Sequence, residues 1–306
     1  MKVAVFGEKE SFLLELIGFA KQLEAEETYA ITLSLTEEGV SKISRAGVKK
    51  VYSLATEKAT VDDVVVKLHE IVKGLNVDII AGPATRDGLD ISARLGAKLG
   101  IPTLTDVFEV EGGTTFKRGI IGGKAVSVEV AEPPVTLTVS LGKFSPPEVA
   151  EAEAPIEKVE VEPLGRTRLL EVSEKAKGGI DITASEIVVG VGRGFKSKDD
   201  LRLAQELADL LGGAVGCSRP IAADYEWLPE DVWIGFSGKK IRPKLYFTIG
   251  ISGAAEHMAG ARDSKVVVAI NNDESAPIFE QADYGVVADL YELLPALLKK
   301  IKEKRG

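Results

Sequence analysis

Short apolar runs of strand length alternate with segments of helical period over most of the chain, and this alternation limits the fold more than any other feature. Residues 2–6 (KVAVF) read as a buried strand, and 10–23 places Leu13, Leu16, Ile17, Ala20 and Leu23 at helical spacing. Further strands are expected at 30–35, 50–53 and 77–82, with helices near 38–45 and over 60–73 and 87–99. Thr60, with Asp62 and Asp63 behind it, marks a helix start. Strand–helix repeats of this kind predict a parallel sheet with helices on its faces. From about 103 to 140 the pattern changes. TFKRGIIGGKAVSVEV and PPVTLTVSL read as hairpin strands, with Gly122-Gly123 as the turn, giving an antiparallel extension.

Residues 143–186 carry Ser145-Pro146-Pro147, the acidic run EVAEAEAP and polar sequence up to Lys177-Gly178-Gly179. Strand-like material at 157–163 is compatible with the first domain, and the hinge is placed between about 174 and 186. A second alternation follows: strand 187–191, helix 198–211 closed by Gly212-Gly213, strands 245–249, 265–270 and 284–287, and a final amphipathic helix over 290–304. The expected class is α/β, with two doubly wound, mostly parallel-sheet domains, the first with an antiparallel extension. Residues 1–180 form the N-terminal domain and 186–306 the second. A chain of 306 residues with 45% apolar side chains supports two such cores.

Composition removes several functions. The net charge of −9 disfavours a nucleic-acid-binding surface. Cys217 is the only cysteine, so no intrachain disulfide forms, and His69 and His257 alone leave little material for zinc. The start MKVAVFGEKE lacks the pattern of a signal peptide, and no window is long and apolar enough for a membrane span, so a cytoplasmic protein without an integral membrane segment is expected. Plentiful Lys and Glu, with scarce Asn, Gln, Met and Cys, is a thermophile-like balance.

Chemistry-bearing elements gather at strand C-terminal ends of the second domain. Gly192-Arg193-Gly194 follows a strand, where glycine admits close backbone approach and arginine adds charge-assisted hydrogen bonds. An ordinary tight turn has the same pattern. Gly250-Ile251-Ser252-Gly253-Ala254 ends the 245–249 strand and opens a helix through Met258, suiting a pyrophosphate, with Ser252 as cap and phosphate donor; a plain capped helix is the alternative. Ala254 breaks the Gly-x-Ser-x-Gly nucleophile pattern. Cys217-Ser218-Arg219-Pro220 sets an arginine where it can lie against a flat ring or make a surface ion pair. Gly235-Phe236-Ser237-Gly238-Lys239 offers a hydroxyl between glycines, or a polar hairpin turn, and is not a Walker loop. Asn271 and Asp289 stand at two more strand ends. In open α/β sheets that edge binds ligands, so these elements together read as a nucleotide-type cofactor site.

The blocks GRGFKS, GCSRP, GFSGK, PKLYFTIGISGAAEHMAG, DSKVVVAINNDESAPIF and QADYGVVADL follow in the order and spacing of electron-transfer flavoprotein alpha subunits, which this chain resembles, with GCSRP closer to the Fix-type branch. DIIAGPATRDGLDISARLGAKLG, RGIIGGKA and PPVTLTV extend the resemblance into the N-terminal half. It implies FAD as cofactor. Arg193 then contacts the nucleotide part, and Ser218 and Arg219 lie beside the flavin. Ile234, Gly235, Phe236 and Ser237 form the loop whose hydroxyl reaches flavin N5. Ser252, Gly253, Ala254, Ala255, Glu256 and His257 form the phosphate-binding helix start, with the histidine directed at the C2 carbonyl. Asn271, Asp289 and Leu290 meet the ribityl and adenosine portions. Phe236 replaces a common glutamine, and Ser237 replaces a common threonine but keeps the hydroxyl.

The resemblance further implies a heterodimer with a beta subunit that carries AMP or a second FAD, and electron relay between a dehydrogenase and a quinone oxidoreductase, with bifurcation in some members. Positive charge from Arg219 and His257 would raise the flavin potential. A nicotinamide-binding or nicotinamide-consuming enzyme on a similar fold is the alternative. Gly7 is followed by Glu8, Lys9 and Glu10, which argues against a phosphate loop in the first domain and for a partner platform.

Overall fold

The computed structural model describes the chain except residues 57, 122–124, 166, 168, 172–180 and 306. It separates into two compact units, Met1–Ser173 and Glu174–Gly306. The expected hinge falls largely, and the Gly122-Gly123 turn wholly, outside the described residues.

The first unit begins with β1 (Lys2–Gly7), α1 (Glu10–Gln22), β2 (Glu27–Leu33), α2 (Glu37–Ser44), β3 (Lys50–Ala55), α3 (Val61–Leu75), β4 (Ile79–Pro83) and α4 (Arg86–Leu99). Then come β5 (Thr103–Glu111), β6 (Thr115–Ile120), β7 (Ala125–Val130), β8 (Val135–Val139) and β9 (Ile156–Glu160). The sheet order is β7-β6-β5-β8-β4-β1-β2-β3-β9. Side chains alternate across a strand, so a fully buried strand needs cover on both faces. β1 shows it: Val3 and Val5 join the core that holds Leu13, Leu16 and Ile43, while Ala4 and Phe6 join the core that holds Leu68 and Leu95. A Cβ on Gly82 would stand 2.3 Å from Phe6 Cζ, so that glycine makes room for the ring.

Thr60 caps α3 in a reciprocal box with Asp63. The buried Asp63 carboxylate also accepts the Leu164 amide at 2.7 Å, tying the segment after β9 to the start of α3. β9 pairs in parallel with β3, so the strand-like material near 157 belongs to this unit. One expectation needs correcting. β5, β6 and β7 are the antiparallel extension, but PPVTLTVSL is not part of it: β8 lies between β4 and β5, parallel to both and buried at every position. Its Thr–Val alternation resembles a half-exposed strand, yet both faces are covered and Thr136 and Thr138 are fully enclosed.

The second unit contains β10 (Ile187–Val191), α5 (Arg202–Leu211), β11 (Ala214–Cys217), β12 (Leu245–Ile249), α6 (Ala255–Met258), β13 (Val267–Asn271), β14 (Tyr284–Val287) and α7 (Leu290–Arg305). Its five strands are all parallel, in the order β11-β10-β12-β13-β14. The expected 198–211 helix starts as a 3-10 turn over Asp199–Leu201 and closes on Gly212 at φ +71°. The later crossovers are shorter than expected: a single helical turn between β12 and β13, and a 3-10 turn, Pro277–Glu280, before β14. All four residues of the edge strand β14 are exposed.

Candidate functional site

Because every strand of the second sheet runs the same way, all five C-terminal ends open on one edge. The order places β10 beside β12, while the chain leaves β10 toward β11 and leaves β12 toward β13. Connections that diverge between neighbouring strands leave a crevice there. The two glycine loops meet at that point. Gly192 N donates to Ile249 O at 3.0 Å and Gly194 N to Gly250 O at 3.1 Å. A Cβ on Gly192 would stand 2.3 Å from Gly250 O, and one on Gly194 2.6 Å from Gly250 Cα. These glycines serve backbone contact across the switch point, and Arg193 is left exposed between them.

Beyond Gly250 the chain is pinned from one side. Ile251 O accepts Asn271 Nδ2 at 2.9 Å, Ser252 O accepts Ile278 N at 3.0 Å, and Gly253 O accepts Gln281 Nε2 at 3.1 Å. Among the described residues the amides of Ser252 to Ala255 have no protein acceptor. Ser252 does not cap the helix as expected: the N-cap is Ala254, without a side-chain bond, and Ser252 is exposed. With only four residues in α6, the loop amides rather than a helix dipole supply the donors.

The loop through Ile234, Gly235, Phe236 and Ser237 bridges two ends of this edge. Ile234 N donates to Cys217 O at 2.8 Å and Phe236 N to Glu256 O at 2.7 Å. A Cβ on Gly260 would stand 2.4 Å from Gly235 N. Ile234 is buried, Phe236 is 64% exposed, and Ser237 is exposed beside it. After β11, Ser218 is buried with its amide on Val191 O, and the exposed Arg219 guanidinium lies 5.8 Å from the centre of the Trp233 ring. Burial pushes the Cys217 thiol up to about 12, so it stays protonated and unreactive.

His257 is enclosed, at 7% exposure. Its Nε2 pairs with Tyr246 Oη at 2.7 Å, and Nδ1 is buried without a hydrogen-bond partner. Burial, only partly offset by the nearby Ile234 carbonyl, pushes the imidazole down to about 4. The positive charge expected of His257 is therefore corrected: the ring is neutral at pH 7, whereas Arg193 and Arg219 are exposed cations on these loops. Asn271 spends both polar ends on the protein, its Oδ1 taking Asp273 N. Asp289 accepts the Tyr291 amide at the start of α7, and the Leu290 side chain is buried against the core. Tyr291 Oη donates to Asp200 and accepts from Lys196 N, holding the loop after β10 to α7. Sequence reasoning missed Tyr246 and Trp233. The only signal was a large aromatic inside an apolar strand and another just ahead of the Gly235 loop.

These groups fit an anionic dinucleotide: unpaired amides and exposed arginines for phosphate, a neutral buried ring nitrogen and an exposed hydroxyl for a heterocycle. Among the described residues no group of side chains could hold a metal ion, and no helix is long and apolar enough to cross a membrane. The second unit is thus a doubly wound α/β domain of the dinucleotide-binding class. The family models "Electron transfer flavoprotein FAD-binding domain" and "Electron transfer flavoprotein domain" match residues 181–262 and 7–164, and the chain belongs to the electron-transfer flavoprotein alpha subunits, whose cofactor is FAD. It is 39% identical to the electron transfer flavoprotein subunit alpha of Pseudomonas aeruginosa over 74% of each chain. It is 37% identical to the Mycobacterium leprae subunit alpha over 87% of this chain and 86% of the other. Protein FixB of Escherichia coli O1:K1 is 31% identical over 97% of this chain and 96% of its own. The FAD-binding family model favours the flavin over the nicotinamide alternative.

Proposed function

We propose that residues 186–306 hold one FAD along the C-terminal edge of the second sheet and relay electrons through it, with no bond-making on an organic substrate. The observation that supports this most is the convergence on one edge of Arg193, the unpaired amides from Ser252 to Ala255, the Ser237 loop and the enclosed His257 ring. Arg193 and those amides take the phosphates. Ser218, Arg219, the loop through Ile234, Gly235, Phe236 and Ser237, and His257 surround the flavin ring. Glu256 contributes through its backbone, and Asn271, Asp289 and the Leu290 backbone lie toward the ribityl and adenosine end. The bound flavin supplies the reducible ring; Arg219 stabilises negative charge on it. The test is a visible spectrum of the chain co-produced with its beta subunit. Flavin bands that persist through gel filtration are expected, and their absence overturns the reading. Arg219→Ala should lower the flavin midpoint potential with FAD retained; an unchanged potential removes that role from Arg219.

Residues 1–180 act as a platform for a beta subunit in a heterodimer. The support is the edge strand β7, where Val126, Val128 and Val130 lie exposed at alternate positions. An apolar row of this kind on an open sheet edge marks an interaction surface. Electrons pass from a dehydrogenase to a quinone oxidoreductase or similar acceptor, or through a bifurcating complex. The protein works in the cytoplasm of an organism growing at high temperature. A nucleotide found in residues 1–180 would refute the platform reading.

A further inference from the structure

Tyr246 heads the fully buried side chains by size, and an enclosed phenol needs a partner for its hydroxyl. It has one, His257 Nε2, at 2.7 Å. The sheet is shaped around this pair. Tyr246 stands next to Val188 of β10, and its ring extends over Gly190, where a Cβ would come within 2.4 Å of Oη and 2.8 Å of Cε2. Glycine inside a buried strand normally weakens it, and here its missing side chain is the space the phenol fills. The two rings lie 25° from parallel with centroids 6.2 Å apart.

Two neutral groups share one hydrogen in this bond. Imidazole nitrogen is a far stronger base than a phenol oxygen, so the phenol donates and Nε2 accepts. The proton of the neutral ring is then on Nδ1. That nitrogen is enclosed without a partner on the protein. The opposite arrangement would leave the buried phenol proton without an acceptor.

We propose that Tyr246 is a positioning residue: by donating to Nε2 it fixes His257 as the neutral Nδ1–H tautomer, so that the ring offers a single donor to a carbonyl-type acceptor on the bound cofactor. The identity of the acceptor rests on the FAD reading above; the tautomer does not. A fixed donor of this kind strengthens as negative charge gathers on its acceptor, without itself having to ionise.

The chain has two histidines, so the ring can be watched directly. Long-range proton–nitrogen spectra of the full chain labelled at histidine, with His69→Gln to remove the other signal, should show a pyrrole-type Nδ1 and a pyridine-type Nε2. In Tyr246→Phe the two tautomers should mix. Gly190→Ala, which displaces the hydroxyl without deleting it, should mix them too. A wild-type ring protonated at Nε2 overturns the proposal whatever the variants do, and so does an unchanged pattern in Tyr246→Phe. In the flavin-loaded heterodimer, Tyr246→Phe should also lower the midpoint potential. If the tautomers mix and the potential stays, His257 does not face the flavin, and the cofactor half of the proposal falls. If the wild-type heterodimer carries no flavin, the FAD reading falls while the spectra still decide the tautomer.

Discussion

Gly253 gives the sharpest test of how the site is built. Its φ is +82°, and a Cβ there would lie 2.4 Å from both Cα and N of Ile278. The obstacle is backbone, so it cannot swing aside. Gly253→Ala therefore incurs two costs. A non-glycine residue in the left-handed region costs about 1–2 kcal/mol, and forced displacement of packed atoms costs about 1–3 kcal/mol. The Ile278 N to Ser252 O bond lies in the path of the displacement, and losing it adds about 1 kcal/mol. Together these come to about 3–6 kcal/mol, a fall in melting temperature of roughly 10–25 °C for a unit of this size. Gly212→Ala is the control. Gly212 also has positive φ, +71°, but nothing lies within 4 Å of its would-be Cβ, so it carries only the backbone cost of about 1–2 kcal/mol. Calorimetry of both variants, with flavin content measured in parallel, isolates the steric part. Gly253→Ala should also lose FAD, because the shifted carbonyls carry the unpaired amides with them. Equal melting temperatures for the two variants, with FAD retained in both, would refute this account of the loop.

Other outcomes follow from the same structure. Hydrogen bonds from the Leu164 amide, and from the amide and hydroxyl of Thr60, outweigh burial and hold the Asp63 carboxyl below its ordinary value. A depressed carboxylate stabilises the fold above its unfolded pKa and loses that contribution as pH falls through the folded pKa. Asp63→Asn should thus cost about 1 kcal/mol at neutral pH and flatten the decline below pH ~4; unaltered acid unfolding would show that Asp63 is not the tether. Val128→Asp should leave the thermal unfolding of the isolated chain nearly unchanged but abolish co-purification of the beta subunit, whereas full heterodimer recovery would exclude the β7 row from the contact.

Much of the architecture was legible because local rules and tertiary context agree. The Thr60 box, the strands through Val3–Phe6 and Val188–Val191, and the glycines after β10 and β12 all carry their reason in adjacent residues. Most of the failures share one cause, burial imposed from elsewhere in the chain. β8 reads as a hairpin strand because its threonines look solvent-facing; only the parallel neighbours β4 and β5 enclose them. Ser252 looks like a cap, but Ala254 takes that place once Gly250 and Gly253 bend the chain. His257 reads as a cation, and the walls that neutralise it come from β12 and the Ile234 loop. Tyr246 shows locally only as an aromatic inside an apolar strand, since its role depends on a glycine in a different strand.

At the far side of the second sheet, the open margin formed by β14 has a practical consequence for anyone handling the polypeptide without its companion. Tyr284-Gly285-Val286-Val287 carries no charge, is accessible along its length and bonds to β13 on one side only. Such a margin accepts any extended segment that reaches it. The chain purified alone should grow into larger species with time and concentration, and adding a lysine at position 286 is the simplest way to keep it in solution.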